Sequence, residues 1–169
     1  MGMGVRAWLQ EHFGSPDAIY GLILFAALIG GASESDDAPA DSLEVLLVAV
    51  FSLIVFWGAH VFARTIATHG VRDGKEITLG AATWASMKHA SGMLYASVLP
   101  SLILLLGVYK LVSTDDAVSL ALLAAMIILG ILGYRAFAQR GSYLAVRIFG
   151  GIGTALFGLL IIALNELVH

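Results

Sequence analysis

The sequence predicts an all-α, polytopic transmembrane bundle of five spans, with the N-terminus cytoplasmic and the C-terminus extracytoplasmic. Three observations carry this expectation: a composition too apolar for a solvated surface, a series of apolar segments of near-spanning length, and a one-sided distribution of basic residues. Of the 169 residues, 59% are hydrophobic and 12% are charged, and the mean hydropathy is +0.91. Soluble domains average about 45–50% apolar and about 25% charged residues. Half the usual charge cannot clothe a globule in water, which excludes a soluble enzyme, a disordered region and a nucleic-acid-binding domain. The chain holds no cysteine. That removes disulfides, thiolate metal sites, cysteine nucleophiles, iron–sulfur clusters and covalently attached haem.

A spanning helix needs roughly 17–25 predominantly apolar residues. The first expected span, about 17–32, is the shortest. Ser15 fits its N-cap, Pro16 its first helical position, and Asp17 complements the helix dipole. Gly30 and Gly31 are expected to end it. The second span, about 43–68, opens with Ser42 as cap and Glu44 in the first turn. The third, about 91–112, contains Pro100, and the fourth and fifth cover about 116–137 and 142–168. Two further helices are expected in the interface. Over about 4–13, Val5, Trp8, Leu9 and His12 recur at helical spacing. Over about 78–89, Trp84 is an interface anchor, and this segment either leads into the third span or overhangs it. Arg6 before the first apolar run and the small residues Gly31-Ala32-Ser33 leave a cleaved signal peptide as a second reading, which Glu11 and Asp17 oppose.

Basic residues orient the spans. With the N-terminus inside, Arg6, Arg64, Arg72, Lys75, Lys88, Arg135, Arg140 and Arg147 are internal and only Lys110 is external. The inner face then carries +4 and the outer face −7, which together give the net charge of −3. Lys/Arg bias over short loops is the strongest topology signal a sequence holds. It places the chain as a multi-pass protein of the inner (plasma) membrane.

Ionisable residues at membrane depth are the first candidates for function, because burying them there is costly. His60 lies in the cytoplasmic half of the second span, with Arg64 one turn further on and Thr68 continuing the stripe. It reads as a proton or cation station, or as a neutral imidazole bonded to a neighbouring helix with Arg64 reaching the headgroups. His89 opens the third span on the same side. If the two spans are neighbours, His60 and His89 can face each other and bind haem or, with a carboxylate, a metal ion. No carboxylate is expected at that depth, since Asp73 and Glu76 belong to the loop, so no metal site is assigned. Ser97, Pro100 and Ser101 form a second group: proline removes a backbone donor near the middle of the third span, and the hydroxyls lie nearby. The alternative for this group is a kinked packing helix. Gly150, Thr154 and Gly158 repeat every fourth residue on the fifth span, a stripe that lets helices approach closely. Neither a phosphate loop nor a dinucleotide fingerprint survives inspection there, and no hydrolase or metalloprotease motif occurs.

The run Phe56-Trp57-Gly58-Ala59-His60-Val61-Phe62-Ala63 and the segment Leu159 to His169 resemble small multi-span integral membrane proteins of high-GC bacteria. The resemblance implies a membrane protein and brings no activity with it. The expectation is therefore a non-enzymatic channel or transporter subunit for protons or small cations, whose path involves His60, Arg64, Ser97, Pro100, Ser101 and His89. The alternatives are a structural or assembly subunit of a membrane complex and a haem b electron-transfer protein ligated by His60 and His89. The expected partners are the lipid bilayer and either further copies of the chain or a membrane-complex partner.

Overall fold

The computed structural model describes residues 16–33, 41–72 and 75–168, so the helix expected over 4–13 and the cap at Ser15 lie outside the described residues. Five helices follow in order: α1 (Pro16–Ser33), α2 (Ser42–Thr68), α3 (Leu79–Val108), α4 (Thr114–Gln139) and α5 (Leu144–Val168). Between α2 and α3 lies a short antiparallel hairpin of β1 (Gly70–Arg72) and β2 (Lys75–Ile77), with Val71 opposite Glu76. Helices α1 to α4 are each long and apolar enough to cross a membrane, and α5 offers a shorter apolar stretch, Leu144–Leu160.

Local chemistry explains the helix ends, with several differences from expectation. Pro16 begins α1, where its missing N–H removes a donor that would be unpaired anyway. The helix does not stop at the glycine pair but runs to Ser33, whose hydroxyl donates to the Gly30 carbonyl at 2.8 Å. The N-cap of α2 is Asp41, with no side-chain cap bond, and Ser42 is already helical. Ser42 instead donates across the bundle to Thr114 Oγ1 at 2.9 Å, because it is fully buried and needs a partner there. Thr78 caps α3, and the segment over 78–89 is continuous with the third long helix. Ser113 caps α4 by accepting from the Asp116 N–H at 3.1 Å.

The shortest helix sits at the centre. α1 touches all four others, and Leu22, Phe25 and Ile29 are fully buried in the core it shares with Val45, Ala49, Leu53, Leu104, Ala125 and Leu129. The outside is apolar as well: Phe51 is 63% exposed and Val55 70%. An apolar core under an apolar coat is the pattern of a bundle solvated by lipid, since lipid tails are as apolar as leucine.

Candidate functional site: a carboxylate between two histidines

Gly21 fixes the approach of α1 to α3. A Cβ added there would stand 2.5 Å from Met93 Cα, so only glycine allows this contact. One turn earlier on each helix come Asp17 and His89, so α1 and α3 run parallel and present these two side chains to each other. α2 runs antiparallel to both and supplies His60. The result is a bridge over three helices: Asp17 Oδ1 lies 3.3 Å from His60 Nε2, and Asp17 Oδ2 lies 3.3 Å from His89 Nε2. The Asp17 side chain is 12% exposed, against 33% for His60 and 44% for His89. The Tyr20 ring leans on His60, with centroids 6.4 Å apart and planes tilted by 30°.

Asp17 corrects the expectation that no carboxylate lies at the depth of the histidines. Its place in the first turn of α1 marked it only as a partner of the helix dipole. The helix lengths show why it is buried. α2 runs eight residues past His60 to Thr68, and α3 begins ten residues before His89, whereas α1 begins one residue before Asp17. The first turn of the short helix therefore meets the longer two well inside their ends.

Each imidazole addresses a different oxygen of the same carboxylate. The bridge brings each of two imidazoles to 3.3 Å from one carboxylate, groups that can each hold or accept a proton. It does not gather three ligands around one point, and no group of three His, Asp or Glu residues suited to a metal ion occurs among the described residues. A haem held by both histidines would need the two Nε2 lone pairs aimed at one iron. Here both nitrogens lie 3.3 Å from an Asp17 oxygen.

The other expected site residues stand apart from the bridge. Arg64 is partly buried and makes no ion pair among the described residues, and its carbonyl accepts from Thr68 Oγ1 at 2.8 Å. Ser97 and Ser101 lie about 12 and 18 Å along α3 from His89 at 1.5 Å per residue. Ser97 donates to the Leu94 carbonyl at 2.8 Å, and Ser101 to the Ser97 carbonyl at 2.9 Å. Pro100 is buried and α3 continues through it. The small-residue stripe is used within the molecule. A Cβ on Gly150 would strike the Phe137 ring, one on Gly158 would come 3.2 Å from Leu129 Cδ1, and Thr154 Oγ1 lies where a Cβ on Gly133 would be. All three partners belong to α4. Comparison with protein-family models, curated proteins and solved structures finds no match.

Proposed function

We propose that this chain is a small channel or transporter subunit that passes protons or a small cation, with Asp17, His60 and His89 as its proton station. The observation that carries this reading is the buried carboxylate set between two imidazoles. The cluster has formal charge −1 with both rings neutral and +1 with both protonated. Histidine is the side chain suited to changing charge near neutral pH, which is what a proton station requires. A structural ion pair needs only one partner; two titratable rings on one carboxylate offer a proton both an entry and an exit. Further along α3, Pro100 has no N–H to offer the Ala96 carbonyl four residues before it. In this reading the hairpin end faces the cytoplasm of a cell bounded by a plasma membrane, and the protein works in oligomers or beside a partner chain.

The test is proton flux in liposomes containing the purified protein and a trapped pH dye. His60→Ala and Asp17→Asn are each expected to reduce flux to the level of protein-free vesicles across pH 5–8. Unchanged flux in either variant overturns the mechanism. A second reading, an assembly subunit of a membrane complex, is favoured by Ser97 and Ser101, whose hydroxyls close onto their own helix and line no path. It predicts co-purification with partner chains in mild detergent and no flux in the wild type.

A further inference from the structure

Among the described residues, four buried side-chain N or O atoms lack a hydrogen-bond partner: Asp17 Oδ2, Trp57 Nε1, His60 Nε2 and Ser86 Oγ. All four are carried by the three helices whose side chains make the bridge. Two are in the bridge itself, where 3.3 Å brings charge close but the N–H and lone-pair directions do not align. The other two flank it. Trp57 continues the inward stripe of α2, spaced by four between Ala49, Leu53 and Val61, Thr65. Ser86, 1% exposed, lies on the buried face of α3 with Ala82, Ala90 and Met93. Because α2 and α3 are antiparallel, Trp57 stands on one side of the bridge and Ser86 on the other. Each is three residues, about 4.5 Å, from its histidine.

We propose that this seam binds a short file of ordered water running from Ser86 past Asp17 and His60 to Trp57. Buried polar groups in folded proteins are paired with protein or with ordered water. These four do not pair with each other, and their chemistry is complementary to a ligand that both donates and accepts. Trp57 Nε1 only donates, an ionised Asp17 only accepts, and the Ser86 hydroxyl and the His60 ring serve either role. Water is the smallest ligand with that property, and buried waters hold about three such bonds each. The inference uses the residues of the proton station but does not require transport.

The experiment is infrared difference spectroscopy of the full chain in lipid nanodiscs, comparing ordinary with ¹⁸O-labelled water, alongside thermal unfolding. The wild type is expected to show buried-water O–H bands that shift with the heavier oxygen. Ser86→Ala and Trp57→Phe should each remove part of these bands and lower the unfolding midpoint, because each strips a partner from the water. The double variant should lose less than the sum, since both residues hold one file. Wild-type spectra without an oxygen-sensitive band overturn the proposal. So does a higher midpoint in Ser86→Ala, the result expected when an unpaired buried hydroxyl is simply deleted. A file that persists while His60→Ala leaves flux unchanged would end the transport reading and leave the hydration site standing.

Discussion

Lys110 adopts φ +55°, the only positive value at a non-glycine among the described residues. It follows the C-cap Tyr109 of α3, and the reason is visible in the backbone. The Lys110 N–H donates to the Gly107 carbonyl at 2.9 Å and the Leu111 N–H to the Leu106 carbonyl at 2.9 Å, a Schellman ending that demands a left-handed residue. Glycine takes that conformation without the penalty of about 1–2 kcal/mol that an L side chain meets. Lys110→Gly is therefore expected to stabilise the protein by about 1 kcal/mol, read as a higher unfolding midpoint in detergent. A lower midpoint would mean that the lysine side chain contributes more than its backbone strain costs. Asp17 teaches the opposite lesson about single residues. Its helix position was legible from Pro16-Asp17, yet its burial was not, because burial depends on where α2 and α3 end. A cue was present in the unequal lengths of the apolar segments: a short helix among long ones starts below their surface level. Ser42 misled in the same way, since its hydroxyl is spent on Thr114, a partner 72 residues away.

At the level of elements, the glycine stripe of α5 was legible as a packing face from its four-residue spacing, but spacing does not name a partner. The structure assigns it to α4, the most extensive helix seam among the described residues. Gly133 is the counterpart that the stripe alone did not reveal: a Cβ there would run into Thr154 and stand 2.6 Å from the Gly150 carbonyl. Gly153, on the same helix as the stripe, has nothing within 4 Å of an added Cβ. These two positions separate packing from helix propensity. Gly133→Ala should destabilise by about 1–3 kcal/mol through overpacking. Gly153→Ala should be neutral or stabilise by up to about 1 kcal/mol, the propensity difference between the residues. Equal effects at both sites, measured by denaturant unfolding in one detergent, would show that the α4–α5 seam is looser than the contacts indicate. The β-hairpin was not legible at all. Three-residue strands carry too little periodicity to register, and beside this pair His69 Nδ1 lies 3.0 Å from the Ile77 carbonyl.

For the molecule as a whole, composition alone announced a helical bundle, because a chain with so few charges must satisfy its backbone internally. The grouping of charges into two ends is likewise visible in the fold. At one end, Pro16 shares a cavity wall with Gln139 and Arg140, and the Asp17 bridge brings Arg64 of α2 and Lys88 of α3 to the same region. At the other, Ser42, Gly107 and Thr114 meet, with Asp41 and Lys110 beside them. If positive charge stays inside, the first end is cytoplasmic. The absence of cysteine makes a direct test simple, since any thiol introduced is the only one. Single substitutions Glu76→Cys and Gln139→Cys mark the hairpin end, Asp115→Cys marks the opposite end, and Glu166→Cys reports on the end of α5. An impermeant maleimide applied to intact cells should label Asp115→Cys at once, and Glu76→Cys and Gln139→Cys only after permeabilisation. Labelling of Glu166→Cys from outside would count α5 as the fifth crossing. Labelling from inside alone would leave four, returning both termini to the cytoplasm and putting Glu166 on the positive face. The reverse pattern at Glu76 and Asp115 would place the Asp17–His60–His89 bridge toward the outer surface, and the proposed station would then face the cell exterior.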